Sequence, residues 1–410
     1  MTKACRSVSL LVLGAAAFCS GAAHAQVGGG ASGTPGAAGP GADRFTLDVR
    51  GRVSYESNVA GGDDTLANIR DLEPEDVIYS TGITMTLQRP SSRQTLFLNA
   101  AADINRHDKN KRLDGENITV QAGATRRFTA CAITGTAGYT RRQSQPDELT
   151  LVPVTKNVAE TRSAGLQGMC GSGNFIGSIG GQVSKTNNNA DSAGYVDSRT
   201  ESVTGSVGYV NQNLGTISLF TQYSTSSYSD LSIVGMPVAR DFRQTGGGIS
   251  YARRIGSRLN GTASLSYTSL DSDIEGGDSD GWTANAALNY RLSSRTGVVL
   301  TYFRGYQASA TLFASSQFTE RLDLSTSYKL SSRLSARASV SGGRNDFRNT
   351  QPTLLQVTED KVFTAGAGLS YKVGRNISIG IDGGYTERNA DVDLFDSNST
   401  RASISISNRF

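Results

Sequence analysis

Apolar and polar side chains alternate along most of the chain after residue 43. Between residues 45 and 55 the odd positions hold Phe, Leu, Val, Gly, Val and Tyr, and the even positions between them hold Thr, Asp, Arg, Arg and Ser. The same alternation recurs in residues 77–88, 95–105, 282–291 and 376–386. A period of two places successive side chains on opposite faces of a β-strand, so each segment has one apolar and one polar face.

A seven-residue sequence motif recurs at the junctions between these segments. Residues 328–334 read Tyr-Lys-Leu-Ser-Ser-Arg-Leu, residues 290–296 read Tyr-Arg-Leu-Ser-Ser-Arg-Thr, and residues 371–377 read Tyr-Lys-Val-Gly-Arg-Asn-Ile. Each copy separates two alternating segments, which makes a unit of strand, tight turn, strand and longer polar loop. A unit of roughly 40 residues also suits a propeller blade. Because a blade needs four strands and this unit holds two, the pattern predicts hairpins of an up-and-down sheet.

The tyrosine, the basic residue and the Ser/Gly turn of each copy suit a strand that leaves a lipid bilayer. Aromatic rings concentrate at headgroup depth, and the turn then lies in water. Eight short connections and nine longer polar loops predict 18 strands, and an overcount by one hairpin would leave 16. Both ends of the strand region then lie on the side of the short turns, which is periplasmic in outer-membrane barrels.

The composition favours a membrane barrel over a soluble hairpin protein. The 410 residues include 47 glycines, and the mean hydropathy of −0.30 is too polar for a single large soluble core. Beyond the N-terminus no apolar run approaches the ~18 residues that a transmembrane helix needs. A closed barrel pairs every backbone polar group within the bilayer. We therefore predict an all-β fold, a transmembrane antiparallel up-and-down barrel over residues 43–410, in the outer membrane of a Gram-negative bacterium.

The N-terminal 42 residues lack this alternation and fall into two segments of different composition. A basic start, an apolar run over residues 8–18 and a small-x-small site predict a secretory signal peptide over residues 1–25. Cleavage is expected between Ala25 and Gln26. Residues 26–42, rich in Gly, Ala and Pro, are predicted to form a disordered linker. Without the signal peptide the chain has 38 basic and 36 acidic residues, a balance that predicts no nucleic-acid partner.

The polar faces of the predicted strands carry ten charged residues that would line the interior of the barrel. They are Asp48, Arg50, Arg52, Glu56, Asp103, Arg321, Asp323, Arg337, Asp382 and Arg401. Opposite charges that pair across strands would hold a hydrated barrel in shape, and the same charges would select a charged or sugar solute. Porin interiors need both roles, and the sequence leaves the two open.

Two cysteines remain after the signal peptide. Cys131 opens a predicted strand at its turn end, and Cys170 closes the next strand at the same end. Antiparallel pairing places them side by side on the face that carries Ile133 and Leu166. Because the periplasm is oxidising, we predict a disulfide between Cys131 and Cys170, with two unlinked small apolar side chains as the alternative.

The sequence contains few candidate catalytic or ligand-binding motifs. His107 is the histidine that remains after the signal peptide, and it falls in a predicted outer loop without a hydrolase pattern around it. The sequence shows no phosphate-binding loop. The acidic loop over residues 271–281 lacks the spacing of a calcium-binding hand and is interpreted as solvated. The sequence therefore predicts no enzyme activity, no cofactor and no metal.

The chain ends on a strand with an apolar face. Ala402, Ile404, Ile406 and the terminal Phe410 share that face. This pattern resembles the C-terminal signal that the outer-membrane barrel assembly machinery reads. The assembly machinery and outer-membrane lipid are therefore the expected partners.

The first hairpins carry a family resemblance. Residues 55–59 read Tyr-Glu-Ser-Asn-Val, residues 75–81 read Glu-Asp-Val-Ile-Tyr-Ser-Thr, and residues 93–99 read Arg-Gln-Thr-Leu-Phe-Leu-Asn. With the later paired strands they resemble the putative β-barrel porin type 2 family of Gram-negative bacteria. The resemblance implies a link with export of exopolysaccharide or capsule, and with periplasmic export components. We therefore expect a passive pore for a secreted polysaccharide; a general small-solute porin and a structural or adhesive barrel with a closed pore are the alternatives.

Overall fold

The computed structural model describes most of the predicted barrel region. The described residues are 43–143, 157–189, 197–228, 241–273, 278–308, 316–348 and 357–410. The predicted signal peptide, with its Ala25–Gln26 cleavage site, and the predicted linker over residues 26–42 lie outside them.

Eighteen antiparallel strands form one closed sheet. In chain order the strands are β1 (Arg44–Glu56), β2 (Asp76–Pro90), β3 (Gln94–His107), β4 (Gly115–Arg127), β5 (Cys131–Gln143), β6 (Val158–Ser172), β7 (Phe175–Asn188), β8 (Ser198–Asn211), β9 (Gly215–Tyr228), β10 (Asp241–Ile255), β11 (Leu259–Ser272), β12 (Ser279–Arg291), β13 (Thr296–Ala308), β14 (Ser316–Lys329), β15 (Leu334–Arg348), β16 (Glu359–Lys372), β17 (Ile377–Ala390) and β18 (Ser397–Arg409). Each strand pairs with the next along the chain, and β18 pairs with β1. The prediction of an up-and-down barrel is confirmed, with 18 strands rather than 16.

The register of the closing pair follows from the alternation of apolar and polar residues. Arg52 of β1 lies opposite Ser405 of β18, and Val53 lies opposite Ile404. A slip of one residue would turn every apolar side chain of a strand to the other face. Alternation along each strand therefore selects one register and gives the closed sheet a continuous apolar outer surface.

The outer surface of the barrel is a belt of exposed aliphatic and aromatic side chains. Leu219 is 66% exposed and Ile179 is 67% exposed, values that suit contact with lipid chains. Five tyrosines stand on this surface next to a short turn, namely Tyr209, Tyr251, Tyr290, Tyr328 and Tyr371. They form one aromatic girdle at the end of the barrel where the chain reverses in two to four residues.

Hydrogen bonds within the turn explain the serine of the repeated turn motif. In residues 330–333 the Ser331 hydroxyl accepts hydrogen bonds from the backbone N–H groups of Arg333 and Leu334, at 3.2 and 3.0 Å. Ser293 does the same one hairpin earlier, for Arg295 and Thr296. A serine side chain thus satisfies two turn amides in both copies, which is why serine suits this position.

Three of the long loops pack together at the opposite end of the barrel. The loop after β1 forms helix α1 (Asp64–Arg70), which begins where the Asp63 carboxylate accepts a hydrogen bond from the Leu66 N–H at 2.8 Å. Leu66 is fully buried, and Leu113 of the loop after β3 and Phe395 of the loop after β17 are also buried. We call this cluster of three loops the loop cap. Among the described residues, no helix has the length and apolar character to cross a membrane.

Candidate functional site

The strand register places the ten predicted interior charges on the inner wall, opposite the apolar belt. They are Asp48, Arg50, Arg52 and Glu56 on β1, Asp103 on β3, Arg321 and Asp323 on β14, Arg337 on β15, Asp382 on β17 and Arg401 on β18. All of them fall on β14 to β18 and β1 to β3. These eight neighbouring strands form what we call the charged sector of the wall.

An ion pair in this sector joins two strands that do not touch each other. Arg50 of β1 contacts Asp103 of β3 at 3.1 Å, although β2 lies between them. Gly82 of β2 lies opposite both residues. A Cβ placed on Gly82 would overlap the Asp103 carboxylate. The ion pair therefore spans the middle strand because that strand has no side chain there.

A second ion pair repeats this arrangement four strands away. Arg337 of β15 contacts Asp382 of β17 through its Nε at 3.0 Å and also through its Nη2. Gly368 of β16 lies opposite both residues, and a Cβ on it would overlap the carboxylate. Glycine on the middle strand is the shared requirement of both bridges.

The second bridge yields a test with a matched control. We expect Gly368→Ala to open the Arg337–Asp382 pair and to lower the free energy of unfolding by less than about 1 kcal/mol, because the pair is partly exposed. Gly366→Ala lies on the same strand and face, and its Cβ would meet neighbours at 3.4 Å and beyond. A double-mutant cycle on Arg337 and Asp382 should give coupling in the Gly366→Ala background and none in Gly368→Ala. Equal coupling in both backgrounds would contradict the role of this glycine.

Other inner-wall carboxylates pair along or between adjacent strands. Arg321 binds Asp323 on its own strand at 2.7 Å. Sequence reasoning missed the pair of Arg388 and Asp360, which are 3.3 Å apart and almost buried at the long-loop end. Both residues lie at inward positions of β17 and β16. If the alternation had been followed to the ends of the strands, both residues would have been predicted to lie on the inner wall.

Arg52 and Arg401 stand apart from these paired arginines. Among the described residues, neither has a carboxylate oxygen within 4.0 Å, although Glu56 lies opposite Arg401 in the register. The Nε of Arg52 is buried and has no hydrogen-bond partner. The charges of Arg50, Arg401 and Asp382 all act on Arg52. Within the described chain, the centre of the charged sector therefore holds two guanidinium groups without a salt bridge.

The rest of the wall, from β4 to β13, has a different chemistry, and we call it the neutral sector. Its inward positions hold mainly Ser, Thr, Asn, Gln and Gly, and at the inward positions of these described strands a charged residue occurs only within two positions of a strand end. Hydroxyl groups pair across adjacent strands, as in Thr161 with Thr186 at 2.8 Å and Ser178 with Ser206 at 2.7 Å. Eight strands of the wall thus carry charged side chains, and ten offer uncharged hydrogen-bonding groups.

A buried carboxylate joins the loops of the loop cap. Asp76 is 1% exposed and accepts hydrogen bonds from the backbone N–H groups of Val77, Lys109 and Asn110, and from the Asn110 side chain, at 2.7–3.0 Å. Next to it, the Lys109 ammonium lowers the pKa of the exposed Glu75 carboxyl by a direct hydrogen bond. The cap is therefore held by charge as well as by its apolar core.

The two cysteines lie on the outer surface, away from the inner wall. Cys131 of β5 is directly opposite Cys170 of β6, and their sulfur atoms are 2.14 Å apart. Both residues sit beside short turns. The predicted disulfide would staple two strands on the lipid side and has no direct part in the site.

Three further sequence features have these places in the structure. His107 is not in an outer loop as predicted but ends β3, where it is 8% exposed and its backbone N–H donates to Asp114. Phe410 is 62% exposed on the outer surface, and its backbone pairs with Leu47. No group of three potential metal ligands occurs within the described ranges. Part of the acidic loop, residues 274–277, lies outside those ranges.

Comparison with known proteins assigns the family. None of the curated proteins matches the chain. The chain is similar to crystal structures of OccK2 (OpdF) from Pseudomonas aeruginosa in complex with glucuronate (10% identity, 90% of this chain, 98% of that chain, TM-score 0.47), opdK from Pseudomonas aeruginosa (12%, 90%, 99%, 0.45) and the FrpB iron transporter from Neisseria meningitidis (8%, 89%, 81%, 0.48).

The family model described as "Putative beta-barrel porin 2" matches residues 48–410. This range begins within β1 and includes all of the later strands of the barrel. With a closed sheet, a lipid-facing belt and a polar inner wall, the chain belongs to this family and is an outer-membrane β-barrel of the porin type.

Proposed function

We propose that the barrel is the outer-membrane conduit for a secreted polysaccharide. The observation that carries this proposal is the neutral sector, since it offers hydroxyl and amide groups over ten neighbouring strands without a central charge. Sugar hydroxyls donate and accept hydrogen bonds, and so do Ser, Thr, Asn and Gln. The wall therefore matches the hydrogen-bonding groups of a saccharide in chemical type.

Passage requires contacts that form and break easily. A neutral hydrogen bond contributes a net ~0.5–1.5 kcal/mol, because each one replaces a bond to water. Rows of such weak contacts would let a polymer slide from one hydroxyl to the next without a deep trap. The wall supplies no energy for this, so the driving force would come from the periplasmic components that deliver the polymer. No chemical step is proposed.

A general small-solute porin is the second candidate. The charged sector favours it, because Arg52 and Arg401 would attract small anions as well as charged sugars. An 18-stranded barrel is also wide enough in principle for an aqueous channel. A structural or adhesive barrel with a closed pore is the third candidate, and the absence of any ion current in a planar bilayer would support it over both channels.

Deletion and complementation test the proposal. We expect deletion of the gene to abolish release of the secreted polysaccharide while growth on small solutes stays normal, and the wild-type chain to restore release. Complementation with the double variant Thr161→Val/Thr186→Val, which removes a hydroxyl pair from the neutral sector, should restore less. Thr221→Val on the outer surface is the matched control. Unchanged export in the deletion strain would contradict the proposal, and loss of small-solute uptake alone would favour the diffusion porin.

A further inference from the structure

We infer that the charged sector holds a binding site for the acidic group of an anionic saccharide, built around Arg52 and Arg401. The inference rests on the proposed function, because it names the class of sugar that the conduit would take. An acidic sugar carries a carboxylate or a related anion beside its hydroxyl groups. The wall around Arg52 offers partners for both.

The ion pairs of the sector show why these two arginines are candidates. Arg50 and Arg337 each have a carboxylate partner held across a glycine. Arg52 and Arg401 have none among the described residues, and the Nε of Arg52 is buried without a partner. Arginine–carboxylate pairs elsewhere in the sector show that the fold can supply acids. These two guanidinium groups, which make no salt bridge within the described chain, are therefore available to an external anion.

Hydroxyl groups surround Arg52 on the wall. Ser80 of β2 and Ser405 of β18 lie opposite it in the register. Two residues further along β1 and on the same face, Ser54 lies opposite Ser403 of β18. A guanidinium group among serines offers a planar fork for a carboxylate and single hydrogen bonds for sugar hydroxyls. Lysine would supply charge but not this fork.

A purely structural role does not account for the pair. Like charges on one face of a sheet repel each other and lower stability. The charges of Arg50, Arg401 and Arg337 oppose that of Arg52, while Asp382, which acts in its favour, is already bound to Arg337. Departures from local stability rules that have no internal compensation occur mainly at functional sites. The arrangement fits a site whose missing negative charge comes from the solute.

Planar-bilayer recordings of the full-length barrel test the inference. In a KCl gradient we expect the wild type to prefer anions, and a trisaccharide of galacturonic acid to block the current at lower concentration than a neutral galactose trisaccharide. Arg52→Gln/Arg401→Gln should weaken the acidic block about tenfold and leave the neutral block unchanged. Arg52→Lys/Arg401→Lys should keep the anion preference but lose part of the acidic block. The mobility shift of unheated barrel on a gel verifies folding of each variant.

The control removes the same charge elsewhere on the wall. Arg254 and Arg291 lie at inward positions near the short-turn ends of β10 and β12, in the neutral sector. Arg254→Gln/Arg291→Gln should leave the acidic block as in the wild type. An equal loss in this control would overturn the inference in favour of net charge, and so would equal block of the wild type by both trisaccharides.

The outcomes separate this inference from the proposed function. If deletion abolishes export but Arg52→Gln/Arg401→Gln leaves the acidic block intact, the acidic site fails and the conduit stands. If the acidic block depends on the arginines while deletion leaves export unchanged, the conduit for a secreted polymer fails and the luminal anion site stands.

Discussion

Asp76→Ala is expected to release the loop cap from the barrel. The carboxylate accepts four hydrogen bonds in a buried site, three of them from backbone N–H groups that would lose their partner. A buried unsatisfied group costs roughly 1–3 kcal/mol, so we expect the free energy of opening the cap to fall by about 3–5 kcal/mol. Hydrogen exchange of the Lys109 and Asn110 amides in the native state measures this opening.

The matched control for this prediction lies in the loop after β3, next to Lys109 and Asn110. Asp108 is exposed, and its backbone N–H bonds to the Val77 carbonyl. Asp108→Ala removes the same charge without removing an acceptor from the buried network, so the exchange rates should stay as in the wild type. Asp76→Asn retains one acceptor oxygen and should fall between the two. Unchanged protection of the two amides in Asp76→Ala would contradict the role assigned to the carboxylate.

Loss of the predicted disulfide is expected to have the second large effect. Cys131 and Cys170 are 39 residues apart in sequence. A cross-link that closes a loop of this size stabilises a protein by roughly 2–4 kcal/mol, chiefly by restricting the unfolded chain. We expect Cys131→Ser to lower the free energy of unfolding of the reconstituted barrel by that amount. Urea titration followed by the fluorescence of Trp282 measures the change.

Reduction provides the control for the disulfide. Wild type treated with a thiol reductant should unfold like Cys131→Ser, and the variant itself should not respond to the reductant. Mass analysis after alkylation should show no free thiol in Cys131 and Cys170 of the untreated protein. Two alkylated cysteines without reductant would refute the pairing and leave two small apolar side chains on the outer surface.

Much of the inner wall could be read from the sequence because strands have a period of two. Alternation around Asp48, Arg50 and Arg52 distinguishes the water-facing side of the strand from its lipid-facing side, and this does not require knowing which strands pair with it. The same count, carried only to the middle of each strand, overlooked Arg388 and Asp360. Their strands continue beyond the apolar belt, where the alternation no longer includes strong hydrophobic residues.

The bridges across Gly82 and Gly368 could not be predicted in this way. Each depends on three strands being aligned in register, and a sequence pattern specifies the face of a residue but not its partner two strands away. The lack of partners at Arg52 and Arg401 has the same origin. Whether a guanidinium reaches a carboxylate depends on side-chain lengths and on the space left by small neighbours.

The sequence by itself determined the alternation of strands and turns, the end of the barrel where the short turns lie and the two faces of the sheet, and it left the count at 18 or 16 strands. These properties are local, since each follows from a period of two and from turn residues within one hairpin. The tertiary structure alone decided which charges meet, how three distant loops form a cap, and that the wall divides into a charged and a neutral sector. Those properties depend on closure of the barrel, which aligns residues far apart in the chain.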